Sequence, residues 1–155
     1  MLMYIHYDSS QYNPDMFKPI KNKELMTKPT GGLWGSPVGC EYGWKEWCDD
    51  NSFRDCTEDN SFQFSLHHDA NILQINSVAD LDRLPKVDNI YPMSWVLLDF
   101  EKLLENGIDA IQLNLSNDTD KHCLEEGLYF KLYGWDCDSI LVMNKDVVVC
   151  QQPTT

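Results

Sequence analysis

The sequence is poor in basic residues and has no long apolar run. Lys and Arg together number 12 against 25 Asp and Glu, which gives a net charge of −13 at pH 7. A field of this sign repels phosphate backbones and excludes nonspecific nucleic-acid binding. No apolar stretch approaches the roughly 20 residues that cross a bilayer, and the first residues lack the basic leader and cleavage site of a secretory signal. We therefore expect a cytoplasmic protein without membrane association.

Several familiar site motifs are also missing. The chain contains no GxGxxG, P-loop, GxSxG or HExxH sequence. Its six cysteines form no CxxC pair, so we predict free thiols in a reducing compartment and no structural zinc. His67, His68 and Asp69 could bind a metal, but adjacent strand residues point to opposite faces, and we favour a surface turn there. The prediction is accordingly a protein without a metal site.

The composition is that of a globular protein. Hydrophobic residues make up 43% and aromatic residues 12% of the 155 positions, which predicts a single domain, residues 1–155, with a real core. Hydrophobic periodicity indicates about seven short strands and two or three helices, the best helix lying at residues 94–107 and ending at Gly107. This pattern favours an α+β fold in which the strands form two small packed sheets with flanking helices.

A turn late in the chain delivers two carboxylates to a buried strand. Residues 140–143 form a continuous apolar run, which is typical of a strand covered on both faces. Asp136 and Asp138 lie immediately upstream, in a stretch rich in glycine and aromatic residues. A carboxylate at the mouth of such a strand is held rigidly, as a catalytic or binding group must be. The alternative is that both aspartates simply form the turn.

Other candidate ligand contacts lie in the first third of the chain. His6 lies within an apolar strand at residues 2–7, and the pair Gly31-Gly32 permits a close approach of a ligand to the backbone. Trp34 and Trp44 can stack on a flat ring. For each of these residues, ordinary packing is the alternative interpretation.

The order of these segments carries more information than any one of them. The chain runs IHY at 5–7, GGLWGS at 31–36, FQFSLHHDANILQI at 62–75, LENGIDAI at 104–111 and DSILVMNKDVV at 138–148. This series resembles the mono-ADP-ribosyltransferase superfamily, the NAD-using fold shared by bacterial toxins and eukaryotic transferases. The resemblance spans most of the chain and implies an ADP-ribosyltransferase-like α+β domain.

The resemblance also implies roles for particular residues. A first-strand histidine in that family holds NAD, and a second-strand element shapes the nicotinamide pocket. The cofactor-binding residues implied are His6, Tyr7, Gly32, Trp34, Ser36, Tyr42 and Trp44. Asp138 would be the late carboxylate, one methylene shorter than the usual glutamate, with Asp136 as a paired acid.

The chemistry implied is transfer of ADP-ribose from NAD, as substrate, to a protein target without a metal. Cleavage of the nicotinamide–ribose bond develops an oxocarbenium ion, and a fixed carboxylate stabilises that charge as it forms. The alternative function is a non-catalytic acidic inhibitor or decoy. Such a protein would use the −13 charge to imitate a nucleic acid and bind a host or defence protein.

Overall fold

A computed structural model describes residues 1–88, 95–120, 123 and 126–150. The fold is mixed α and β, built on a seven-stranded sheet. The strands are β1 (Tyr4–Tyr7), β2 (Leu33–Pro37), β3 (Ser61–Leu66), β4 (Ile72–Ile75), β5 (Ala110–Leu113), β6 (Ser139–Val142) and β7 (Val148–Val149). Their order across the sheet is β4-β5-β6-β2-β1-β3-β7, and only the β4–β5 pair is parallel.

Three short α-helices accompany the strands in the described residues. They are α1 (Trp44–Asn51), α2 (Phe100–Glu105) and α3 (Leu128–Lys131). The segment Val78–Leu81 forms a single 3-10 turn.

Two hydrophobic clusters cover opposite faces of β5 and β6. Ile111 and Leu141 belong to the cluster that contains α2 and α3, whereas Ala110 and Ile140 belong to the cluster around Tyr4. Because neighbouring strand residues point to opposite faces, both strands can be apolar throughout. All four residues of β6 are buried, so the prediction of a strand covered on both faces is confirmed.

The expectation of two packed sheets is wrong. Leu33, Trp34 and Gly35, in the first part of β2, pair with β6, whereas Ser36 and Pro37 pair with β1. This strand therefore hydrogen-bonds to both halves and joins them into one sheet.

The helix expected at residues 94–107 begins later than the sequence indicated. Helix α2 starts at Phe100, where the Asp99 side chain accepts a hydrogen bond from the Lys102 backbone N–H at 3.0 Å. Just upstream, Leu98 forms an isolated bridge with Lys86. The backbone before Asp99 is thus engaged in an extended pairing that competes with helix formation; residue 94 lies outside the described residues.

Candidate functional site

The site lies where β1 and β2 stop pairing with each other. Their ladder contains Tyr4 opposite Pro37 and Ile5 opposite Ser36. Beyond Ile5, β1 remains paired only with β3, and β2 before Ser36 is paired with β6. The next residue of β1, His6, therefore faces an opening between two strands that each continue in a different ladder.

A cavity of about 200 Å³ occupies this opening. It is lined by Ile5, His6, Tyr7, Asp8, Lys28, Trp34, Gly35, Ser36, Trp44, Arg54, Trp135, Cys137 and Ser139. An apolar cavity of about 150 Å³ binds benzene, so this volume suits one ring-sized group rather than a whole dinucleotide.

Indole rings form much of the cavity wall. Trp34 packs edge-on against Trp135, with ring centres 4.9 Å apart, and Trp135 is anchored by a hydrogen bond from its indole N–H to the Thr27 carbonyl at 3.1 Å. Trp44 stacks on Trp47 at 5.1 Å. The wall is therefore braced by packing behind it, which keeps the ring faces in place for a ligand.

Lys28 brings a cation to these rings. Its Nζ lies 5.1 Å from the ring centre of Trp34 and 5.9 Å from that of Trp44, both within cation–π range. No carboxylate lies within ion-pair distance of Lys28 in the part of the chain that the structure describes. Burial lowers the pKa of the Lys28 ammonium, and the nearby charge of Asp136 partly opposes that change.

The floor of the cavity is polar and buried. Ser36 Oγ accepts a hydrogen bond from the Trp44 backbone N–H at 2.9 Å, at the start of α1. Ser139 Oγ–H donates to the Cys137 carbonyl at 2.8 Å and lies 3.5 Å from the Cys137 sulfur. Burial raises the pKa of the Cys137 thiol to about 11. Because that thiol is protonated at neutral pH, the floor presents neutral hydroxyl and thiol groups that suit an amide or hydroxyl of a ligand.

His6 spans the opening between the two strands. Its Nδ1 lies 2.6 Å from the Trp34 carbonyl oxygen. A carbonyl only accepts hydrogen bonds, so Nδ1 carries the proton, and in the neutral ring Nε2 remains as an acceptor. The ring also packs against Phe62 at 5.1 Å. These two contacts fix the orientation of the imidazole at the cavity wall.

An ion pair stands at the rim. Arg54 Nη1 lies 2.5 Å from Asp8 Oδ2, with both side chains partly exposed. The Arg54 guanidinium also lies 5.1 Å from the ring centre of Phe53. Arg54 is thus a second cation in the cavity lining, paired with the Asp8 carboxylate.

Asp138 is placed away from this cavity. It is only 4% exposed, and its carboxylate accepts hydrogen bonds from the Ser116 backbone N–H at 2.9 Å and the Ser116 hydroxyl at 2.7 Å. A longer contact of 3.4 Å comes from the Tyr42 N–H. Its neighbours Cys137 and Ser139 line the cavity, whereas Asp138, in the turn before β6, does not. The carboxylate therefore joins three chain segments instead of facing a ligand.

Asp136 lies closer to the site. Its backbone has a positive φ of 68°, which sets the turn before Cys137. The carboxylate does not line the cavity, but its charge acts on Lys28. Burial raises the pKa of Asp136, and Lys28 partly lowers it.

Gly32 and Tyr42 also lie outside the cavity lining. A Cβ on Gly32 would come within 2.7 Å of the Val142 carbonyl oxygen, so the close approach that glycine permits is made by the chain itself and not by a ligand. The Tyr42 hydroxyl donates to Asp50 at 2.7 Å, which directs the phenol along α1. Of the seven predicted cofactor residues, His6, Tyr7, Trp34, Ser36 and Trp44 converge on the cavity.

Several lining residues were not predicted from the sequence. These are Ile5, Asp8, Lys28, Gly35, Arg54, Trp135, Cys137 and Ser139. Cys137 and Ser139 flank the predicted Asp138, but they do so at a turn, where no side-chain periodicity indicates which residue faces a ligand. Nothing in the sequence places Lys28 between two tryptophans, since that contact depends on the path of residues 18–32 over β2.

The described residues include no helix long and apolar enough to cross a membrane. Comparisons with models of protein families, with curated proteins and with solved structures found no significant match.

Proposed function

We propose that this chain is an ADP-ribosyltransferase-like domain that binds NAD, with the nicotinamide ring in the cavity between β1 and β2. The observation that carries the proposal is the convergence of five predicted cofactor residues on one ring-sized cavity. Positions 6, 34 and 44 are far apart in sequence. Their meeting supports a shared ligand more strongly than any of the three residues does alone.

The indole faces of the cavity wall favour the oxidised cofactor. Trp34 and Trp44 already hold the Lys28 ammonium within cation–π distance. The nicotinamide ring of NAD⁺ is a pyridinium cation, whereas that of NADH is neutral. A cation–π contact contributes about 0.5–2 kcal/mol. We therefore expect NAD⁺ to bind about 2- to 30-fold more tightly than NADH.

The rim suits the remainder of the cofactor. Once the pyridinium occupies the ring site, the Lys28 ammonium is displaced towards the mouth, where Arg54 already lies. Phosphate oxygens are the natural partners of such cations. The pyrophosphate of NAD would therefore lie at the rim, outside a cavity too small to hold it.

For the transfer step, Asp136 is the better candidate carboxylate. The Asp138 oxygens are engaged by Ser116 and Tyr42, whereas Asp136 lies near the cavity and its cation. In the reaction, the nicotinamide–ribose bond breaks and nicotinamide leaves with the bonding electrons. A nucleophile of the target protein then bonds to C1′ and releases its proton. Asp136 would stabilise the oxocarbenium charge.

The binding proposal is tested by titrating NAD⁺ and NADH while following tryptophan fluorescence, because three of the five tryptophans line the cavity. Lys28→Met should weaken both ligands by removing a phosphate contact. The matched control, Lys45→Met, removes a surface lysine paired with Asp49 and should change neither. Absence of NAD⁺ binding at about millimolar concentration, far weaker than ordinary cofactor sites, would leave the acidic inhibitor as the function.

The assignment of the carboxylate is tested by nicotinamide release. Asp136→Asn should slow release about a hundredfold, the usual cost of one lost electrostatic partner. Asp138→Asn should retain release per folded molecule. Equal rates for wild type and Asp136→Asn would remove Asp136 from the reaction while leaving NAD binding intact.

A further inference from the structure

The turn between β3 and β4 carries two adjacent histidines and an aspartate. Strand β3 ends at Leu66, so His67 and His68 belong to the turn and not to the strand. The prediction of a surface turn is confirmed, but the reason given against a metal there is wrong, because side chains alternate between faces only within a strand. The His67 backbone N–H is fixed by a 2.8 Å hydrogen bond to the Val147 carbonyl.

The three side chains of this turn point towards one another. The two imidazole ring centres are 4.3 Å apart. His68 Nε2 lies 3.2 Å from Asp69 Oδ1, and His67 Nδ1 lies 3.8 Å from Asp69 Oδ2. One ligand atom from each residue lies within 4.8 Å of the other two.

These separations can be compared with those of a real metal site. Zinc binds imidazole nitrogen and carboxylate oxygen at about 2.0–2.2 Å, which places two ligands of a tetrahedral ion about 3.3 Å apart. The His68–Asp69 separation already has this value. The other two distances between ligand atoms are at most 4.8 Å, which exceeds the tetrahedral value by up to about 1.5 Å. Rotation of exposed side chains is enough to close them.

The side chains are free to make that adjustment. They are 50%, 79% and 77% exposed for His67, His68 and Asp69. The cost is one hydrogen bond, from the Asp69 backbone N–H to His67 Nδ1 at 3.2 Å, and water can replace it at the surface. No Lys or Arg pairs with Asp69 among the residues that the structure describes.

We propose that the 67–69 turn is a surface site for a divalent transition-metal ion, with His67, His68 and Asp69 as its protein ligands. Imidazole favours zinc, nickel and copper, and one carboxylate is compatible with all three ions. Three protein ligands leave a fourth position for water or for a ligand from a partner. The site is independent of the cavity between β1 and β2 and of any function proposed for it.

The test uses Zn²⁺ alone as the probe. Wild type and the double variant His67→Ala/His68→Ala are titrated by calorimetry under reducing conditions, so that binding by the six free cysteines is common to both. One equivalent of Zn²⁺ bound by wild type should be lost in the double variant. Asp69→Asn should bind about tenfold more weakly or worse, since even indirect supports of a metal cost that much.

A second histidine variant and a spectroscopic signal separate this site from others. Residue 122 lies outside the described residues, and the variant His122→Ala should bind Zn²⁺ as wild type does. In NMR spectra, the imidazole resonances of His67 and His68 should shift on addition of Zn²⁺, while that of His6 should not. Equal Zn²⁺ stoichiometry in wild type and double variant, or loss of binding in His122→Ala alone, would overturn the proposal. Because the substituted side chains are exposed, the double variant is expected to fold.

Discussion

Replacing Asp138 by alanine should destabilise the fold. The carboxylate accepts two short hydrogen bonds, both from Ser116, and one long contact from Tyr42. A hydrogen bond to a charged group contributes about 1.5–3 kcal/mol net, whereas a contact at 3.4 Å adds little. Since two bonds to one residue are not additive, we take about 3 kcal/mol as the loss.

That loss is large enough to measure easily. For a chain of this length, each kcal/mol moves the midpoint of thermal unfolding by about 2–4 °C, so Asp138→Ala should lower Tm by about 6–12 °C. Asp138→Asn keeps one oxygen acceptor and should lose about half as much free energy. The matched control is Asp49→Ala, whose carboxylate is 55% exposed and should change the free energy of unfolding by less than about 0.5 kcal/mol.

Urea unfolding followed by tryptophan fluorescence, together with thermal melts followed by circular dichroism, measures these differences. A free energy of unfolding for Asp138→Ala within about 0.5 kcal/mol of wild type would refute the structural role of this carboxylate. If such a stable variant also failed to release nicotinamide, Asp138 and not Asp136 would be the carboxylate of the reaction.

Three further substitutions test the surroundings of the site. Gly31→Ala should lower the free energy of unfolding in urea much more than Gly39→Ala. Both glycines have positive φ, but only a Cβ at position 31 would lie 2.2 Å from the Pro19 carbonyl oxygen. Equal losses of stability in the two variants would refute the close approach of Gly31 to Pro19. Burial raises the pKa of Asp136 above its usual 3.8, so ionisation of this carboxyl costs the wild type stability as the pH rises above about 3. The stability of Asp136→Asn relative to wild type should therefore increase between about pH 3 and pH 7. A difference in stability that does not change with pH would contradict the burial of this carboxylate. Burial lowers the pKa of Lys28 from 10.5, so holding its charge costs stability at neutral pH. Lys28→Met should therefore raise the free energy of unfolding at neutral pH, and this gain should disappear as the pH approaches 10.5. A lower free energy of unfolding in urea would mean that the cation–π contacts of Lys28 outweigh the cost of burying its charge.

Much of the local structure could be predicted from the sequence. The alternating residues 62–66 lie in β3 (Ser61–Leu66). The continuous apolar run at 140–143 overlaps β6 (Ser139–Val142), which is buried on both faces. These features follow from side-chain periodicity, which depends only on neighbouring positions. The extent of α2 was overestimated because an extended pairing with Lys86 competes with the helix before Phe100.

The candidate site likewise has features that the sequence indicates and features that depend on tertiary contacts. The sequence singled out His6, Trp34 and Trp44 as candidate ligand contacts from the chemistry of their side chains, and all three line the cavity. It could not state whether the Asp138 side chain faces the cavity, because Asp138 lies in the turn before β6, where the alternation of strand side chains does not apply. Only the packing of Ser116 against that carboxylate decides this.

By itself, then, the sequence determined which segments are strands, which residues are apolar and that the chain is strongly acidic. The tertiary structure decided that β2 divides its pairing between β1 and β6, and that Lys28 comes to lie against two indole rings. Pairing partners of this kind are far apart along the chain. Their choice depends on the summed burial of the whole sheet, which no local pattern contains.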